Sequence, residues 1–201
     1  MKKLVAATGN MGKLREFREL LVGLELEVVS LADFPSIGEI EESGKSFAEN
    51  AILKAESVSL HTGEFALADD SGLEVDALGG RPGIFSARFA GIGAKDAANN
   101  KKLLAELAAA ADSDRTARFR AAIAVAAPCF PTQVAEGECA GLIIHEPRGT
   151  GGFGYDPLFF VPELGKTFAE MTPAEKNSVS HRARAMSGAR KILKQILQLY
   201  Q

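Results

Sequence analysis

The chain has 201 residues, 46% hydrophobic and 24% charged, proportions that exclude intrinsic disorder and fit an ordinary globular protein. Its net charge of −3 argues against a general affinity for nucleic acid or anionic membrane, so positive charge for binding phosphate has to be local. No apolar stretch approaches the ~20 residues that span a bilayer, and the run after Met1-Lys2-Lys3 is shorter than a signal-peptide core. The expectation is a soluble cytoplasmic protein of one domain, residues 1–201.

Lys2–Thr8 predicts a short buried strand, apolar from Leu4 to Ala7 and ending at the polar turn Thr8-Gly9-Asn10. From Lys13 to about Val22, Leu14, Phe17, Arg18 and Leu21 share one helical face, on which Arg18 would have to snorkel. With a second strand over Glu27–Leu31, this order predicts a parallel β-α-β opening. Ser46 followed by Glu49 fits a capping box, and Phe47, Ala51, Ile52, Ala55 and Val58 or Ser59 then recur at helical spacing. Phe65–Ala68 reads as a strand that runs into Asp69-Asp70-Ser71-Gly72, and Asp96–Ala111 as a helix. Ala117–Ala127 and Gln133–Ile144 predict two long strands joined by a Pro128–Pro131 turn, long enough to support a second lobe. Leu158–Val161 is a short strand after a Gly-rich loop. Thr172-Pro173-Ala174-Glu175 then supplies an N-cap, a proline at the first helical position and a capping-box glutamate. Ile192, Leu193, Ile196 and Leu197 carry the closing helix. The fold class is α/β: a mixed, twisted central sheet flanked by helices. Cys129 and Cys139 stand without further thiol or histidine partners at metal-ligand spacing, so zinc has no site, and two half-buried free thiols are expected in preference to a disulfide between two strands.

Five clusters bear chemistry. Thr8-Gly9-Asn10-Met11-Gly12-Lys13 lies between a strand and a helix, where glycines, helix N–H groups and the Lys13 ammonium suit an anion. It lacks the spacing of a P-loop. Asp69 and Asp70 are adjacent at a strand end and should point to opposite sides, one facing a cleft while the other braces. Crowded carboxylates repel, and a hard cation such as Mg²⁺ relieves the repulsion. Glu39-Ile40-Glu41-Glu42-Ser43-Gly44 is an acidic run that serves a function only with a metal nearby, and is otherwise a solvated loop or a favourable charge near a helix N-terminus. Gly151–Pro157 holds an aromatic pair, Phe153 and Tyr155, able to stack on a base, with Asp156 as acceptor. Lys176 and His181-Arg182 converge only partly from one regular helix, and a helix start near Ser178 would relax that restriction. Each cluster alone also fits an ordinary turn, core aromatic or exposed helix charge. Together they describe a nucleoside triphosphate and Mg²⁺ site.

In six ordered blocks between residue 4 and about 185 the chain resembles the inosine/xanthosine triphosphate pyrophosphatases, the HAM1-like non-canonical purine NTP pyrophosphatase family. The blocks are Thr8–Lys13; Glu41-Glu42-Ser43-Gly44 with Phe47, Asn50-Ala51 and Lys54-Ala55; Ala68–Gly72; Gly79–Gly83 with Ser86-Ala87-Arg88; Gly151–Pro157; and Glu175-Lys176 with Ser180-His181-Arg182. The resemblance implies hydrolysis of dITP, ITP and XTP to the monophosphate and pyrophosphate, and a homodimer of elongated two-lobed α/β bodies, each with the substrate cleft between its lobes. It also implies that Thr8, Gly9, Asn10, Met11, Gly12 and Lys13 hold the triphosphate, that Asp70 is proton acceptor and metal ligand, and that Glu41 or Glu42 supplies the other metal carboxylate. Ser71, Phe153, Gly154, Tyr155, Asp156, Lys176, His181 and Arg182 become substrate contacts by the same carry-over. The nearest rival is a Maf-like nucleotide pyrophosphatase with a different base preference, marked by turnover of TTP or UTP. A non-catalytic nucleotide sensor or RNA-binding module is disfavoured by the acidic balance and by a carboxylate cluster that repels triphosphate without a metal.

Overall fold

A computed structural model describes residues 2–38 and 40–199. In chain order the elements are β1 (Lys2–Ala6), α1 (Met11–Leu20), β2 (Leu26–Ser30), α2 (Phe47–Thr62), β3 (Phe65–Val75) and α3 (Asp96–Glu106). They continue with β4 (Thr116–Ala127), β5 (Phe130–Ile143), β6 (Phe159–Val161), β7 (Lys166–Thr167), α4 (Pro173–Val179) and α5 (His181–Leu199). One seven-stranded sheet runs in the order β2-β1-β3-β4-β5-β6-β7. It is mixed: β1 pairs parallel with β2 and β3, while β6 pairs antiparallel with β5 and β7. The parallel β-α-β opening is present as expected, with Leu4 opposite Val28 on one side and Phe65 on the other.

Caps explain where the helices begin. The Asn10 carboxamide accepts from the amides of Gly12 (2.8 Å) and Lys13 (3.1 Å), so α1 starts at Met11 rather than at Lys13. Leu14, Phe17 and Leu21 of its apolar face are buried, while Arg18 lies in solvent. Ser46 caps α2 by accepting from the Glu49 amide at 3.1 Å. The Glu49 carboxylate closes the box on the Lys45 amide (2.7 Å), one residue before the expected partner.

The chain divides into two compact units. The first comprises Met1–Asp70, Ala121–Gly137 and Arg182–Gln201, and the second Ser71–Arg120 and Glu138–His181. Each has its own core: Leu4, Phe17, Leu67, Ile123, Met186 and Leu193 in the first, and Leu73, Leu103, Ile143, Phe159 and Phe168 in the second. Strand β4 alternates between buried and more exposed positions from Thr116 to Arg120, then is buried at every position from Ala121 to Ala127. That change marks a strand with one covered face giving way to one covered on both.

Several boundaries differ from the expectations. Helix α3 stops at Glu106, short of Ala111, and β5 begins at Phe130, which leaves Pro128-Cys129 as the turn, with Cys129 at φ 64°. Strand β7 has only two residues and no periodicity to announce it. The closing helix is two helices, because Ser180 between them is extended (φ −68°, ψ 151°). Both cysteines are free, Cys129 exposed and Cys139 buried. Among the described residues no helix is long and apolar enough to cross a membrane.

Candidate active site

Asp69 and Asp70 do not sit at an exposed strand end. Strand β3 continues through Ser71 and Gly72 to Val75, so both carboxylates are interior, 1% and 7% exposed. Burying a carboxylate is tolerated only with partners, and strand alternation sends the two side chains to different ones. Asp69 meets the Lys13 ammonium of α1 at 2.5 Å and the Arg182 Nε of α5 at 3.4 Å. Burial alone would raise the Asp69 pKa. The Lys13 and Arg182 charges outweigh it and hold this carboxyl well below the usual carboxylate range. Arg182, itself 3% exposed, also donates from Nη1 to Glu16 Oε2 at 2.6 Å. Asp69 is therefore the brace of the pair, gathering the first-turn lysine and the closing-helix arginine.

Asp70 faces α2. Its Oδ2 accepts from Asn50 Nδ2 at 3.0 Å, and its Oδ1 lies 3.4 Å from Lys54 Nζ. The same ammonium donates to Glu42 Oε1 (2.8 Å) and to the Asp69 backbone carbonyl (2.9 Å). Burial raises the Asp70 pKa above the ordinary carboxylate value; Lys54 opposes this and Glu42 adds to it. Burial by itself would lower the Lys54 pKa, but the charges of Asp70, Glu42 and Asp69 outweigh it, and the ammonium is held charged. Gly44 closes this corner: its amide donates to Asn50 Oδ1 at 2.8 Å, and a Cβ there would come within 2.6 Å of that oxygen.

The paired glutamates separate. Glu42 is half-buried in the Lys54 and Asp70 cluster, whereas Glu41 is exposed; Glu39 lies outside the described residues. Among the described residues no three His, Cys, Asp or Glu side chains converge as a ready-made metal cage. Two carboxylates with a lysine between them is what the cluster contains.

Asn50 and Lys54 join the cluster only through the tertiary structure, although the sequence carries a signal for them. They fall at the third and seventh residues after Phe47, on the stripe that Ala51, Ala55 and Val58 also occupy, and they are 0% and 9% exposed. An amide and an ammonium on an otherwise apolar helical face require polar partners in the interior.

The Thr8–Lys13 turn is organised by its own side chains. Thr8 Oγ1 accepts from the Asn10 amide at 3.1 Å, and Asn10 caps Gly12 and Lys13, leaving Met11 69% exposed and Gly9 in solvent. The positive charge at this helix start is the Lys13 ammonium.

In the second unit, Asp156 Oδ2 accepts from the Phe153 amide (2.9 Å) and from Lys176 Nζ (2.7 Å). The Lys176 ammonium stands 5.1 Å from the Phe153 ring centroid and 5.4 Å from that of Phe168. The Gly154 amide donates to Asp96 Oδ2 at 2.7 Å and its carbonyl accepts from Asn100. Tyr155 is a correction to the expected stacking pair: it is 4% exposed, packs in the second core and donates its hydroxyl to the Ser86 carbonyl at 2.8 Å. Burial, with Asp96 adding, pushes its phenol pKa upward. His181 is also interior, its ring 4.7 Å from and 11° off parallel to that of Phe119. Ser71 is half-buried in β3. Gly152 has φ +74°, and a Cβ on it would run into the Asp156 carboxylate. Gly152→Ala is thus expected to displace Asp156 from Lys176 and to destabilise the protein by about 1–3 kcal/mol, checked by urea unfolding; an unchanged midpoint would count against the bracing role of Asp156.

A model of the Ham1 family matches residues 4–192. The chain is 54% identical over 194 residues to a dITP/XTP pyrophosphatase of Desulforamulus reducens, covering 96% of each chain. It is 55% identical over 187 residues to a dITP/XTP pyrophosphatase of Geobacillus kaustophilus, covering 93% of this chain and 92% of that one. The structure of a HAM1 protein from Coxiella burnetii superposes with a TM-score of 0.87 at 45% identity, covering 97% of this chain and 100% of the other.

Proposed function

The chain belongs to the Ham1 family, and we propose that it hydrolyses dITP, ITP and XTP to the nucleoside monophosphate and pyrophosphate, clearing deaminated purines from the nucleotide pool. The observation that carries this reading is the interior carboxylate Asp70, fixed by Asn50 and facing Glu42 across Lys54, on the strand whose neighbouring Asp69 holds Lys13 and Arg182.

In this reading Asp70 accepts the proton of a water that attacks the α-phosphorus, while the bond from that phosphorus to the bridging oxygen breaks and pyrophosphate leaves. The Asn50 carboxamide fixes the orientation of that carboxylate, as a positioned general base requires. Lys13 presents positive charge to the polyphosphate from the start of α1, its position fixed by Asp69. Glu42 and Asp70 are hard oxygen donors close to one another, a set that fits Mg²⁺ completed by water and phosphate oxygens. They would hold that ion, which when bound neutralises phosphate charge and lowers the pKa of a coordinated water. Within the second unit, the Phe153 ring and the Lys176 ammonium suit a base face and an anion, so this pair is proposed as a nucleotide contact.

Arg182 is proposed to read the 6-oxygen that hypoxanthine and xanthine carry and adenine replaces with an amino donor. A site built of donors leaves donor facing donor with ATP. Arg182→Ala is expected to reduce the ITP-over-ATP ratio of kcat/KM by roughly tenfold or more, measured by steady-state kinetics; an unaltered ratio would remove Arg182 from base selection. The cytoplasm, where the nucleotide pool lies, and a homodimer complete the proposal, the latter checked by sedimentation velocity.

The deciding experiment is pyrophosphate release from ITP, XTP, GTP, ATP and TTP, with Mg²⁺ and with EDTA. Release from ITP and XTP that EDTA abolishes is the expected result. Preference for TTP would favour the Maf-like reading, and no release from any triphosphate would leave a non-catalytic nucleotide binder.

A further inference from the structure

Lys54 has a part in this cluster that the proton-acceptor and phosphate-binding roles leave unassigned. Its ammonium has three N–H donors, and three acceptors meet it: Glu42 Oε1 at 2.8 Å, the Asp69 carbonyl at 2.9 Å and Asp70 Oδ1 at 3.4 Å. The side chain is 11% exposed and rises from the buried stripe of α2, so it is not a surface lysine that drifts in and out. It bridges the two carboxylates that the proposed function gives to a divalent cation.

Resting on that reading, we infer that Lys54 keeps the two-carboxylate site weak for a free divalent cation, so that the ion enters together with the triphosphate. The charge count gives the reason. Glu42 and Asp70 contribute two negative charges, and an ammonium fixed between them leaves one, with two protein ligands, for an incoming dication. Bringing a double positive charge close to a fixed ammonium in a partly dry environment is costly. A triphosphate arriving with the ion supplies further oxygens and several negative charges, and reverses the balance. Lys54 is on this account a positioning residue that selects the metal–nucleotide complex over the bare ion. A lysine serving only to hold α2 against β3 would not set the affinity for a free metal in this way.

The test is titration of Mn²⁺ alone into nucleotide-free protein, with free ion read by electron paramagnetic resonance. The wild-type chain should bind Mn²⁺ no tighter than the millimolar range. Lys54→Met should bind it roughly tenfold tighter or more, the effect of removing one nearby charge. Lys54→Arg, which keeps the charge, should stay weak, and adding Glu42→Gln to Lys54→Met should abolish the gain. Circular dichroism establishes that each variant is folded; should Lys54→Met not fold, Lys54→Gln, which also removes the charge, takes its place with the same expected gain. Micromolar binding of Mn²⁺ by the wild type, or a folded Lys54→Met that binds no tighter, overturns the inference. Pyrophosphate release is measured separately: absence of release overturns the proposed activity, whereas strong binding of the bare ion by an active enzyme overturns only the role of Lys54.

Discussion

Asp70→Asn is expected to lower kcat by roughly two to four orders of magnitude, the range that a positioned general base supplies, while nucleotide affinity changes little. Asparagine keeps the shape and can still face Asn50 and Lys54, so the local packing survives the substitution. What is lost is the basic oxygen and one negative charge. Steady-state kinetics of ITP hydrolysis, paired with a direct binding measurement on the variant, separates these effects. Turnover within a few-fold of wild type would remove Asp70 from the chemical step. Weak binding together with low turnover would instead assign it mainly to holding the metal and the phosphates.

The second large effect is on stability. Asp69→Asn removes the anion that faces Lys13 and Arg182 in the interior, and breaking a buried ion pair by deleting one partner costs about 3–5 kcal/mol. Arg182 retains Glu16, which places the expected loss near the lower end of that range. Urea denaturation at neutral pH measures it, and a change under about 1 kcal/mol would show that the cations are re-solvated at little cost. The pH dependence carries a sign as well. Asp69 has a folded pKa below its unfolded value, so its contribution is complete above about pH 4, the unfolded carboxyl value, and is lost as pH falls toward the folded pKa. The gap between wild type and Asp69→Asn should therefore be widest at neutral pH and narrow below about pH 4. Because Lys13 and Arg182 both depend on Asp69, the variant should also raise the KM for ITP.

The two carboxylates of one dipeptide thus divide the work, with Asp69 fixing cations and Asp70 facing the proposed reaction. That division was legible as a possibility, since neighbouring residues of a strand point to opposite sides, but their assignment was not. Which aspartate braces depends on Lys13, 56 positions back in the numbering of the same pair, and on Arg182 far ahead of it. Glu41 and Glu42 pose the same problem in a loop, where no period sets direction, and contact with Lys54 distinguishes them.

What the sequence determined by itself was everything decided within a turn or two of chain. Period-two and period-3.6 patterns produced the longer strands and helices, caps at Ser46 and Thr172 set two helix starts, and the ordered motif blocks pointed to the family. The tertiary structure decided the pairings: Arg182 with Glu16 across 166 residues, Lys54 with Asp70 across 16, and the hydroxyl of Tyr155 with Ser86 across 69, which turned an expected stacking aromatic into core. It also decided the break at Ser180, which starts a new helix at His181 and Arg182. The physical reason is that backbone hydrogen bonds and side-chain periodicity are local, whereas a buried charge is stable only beside a specific opposite charge. Which residue supplies that charge is settled by how the elements pack.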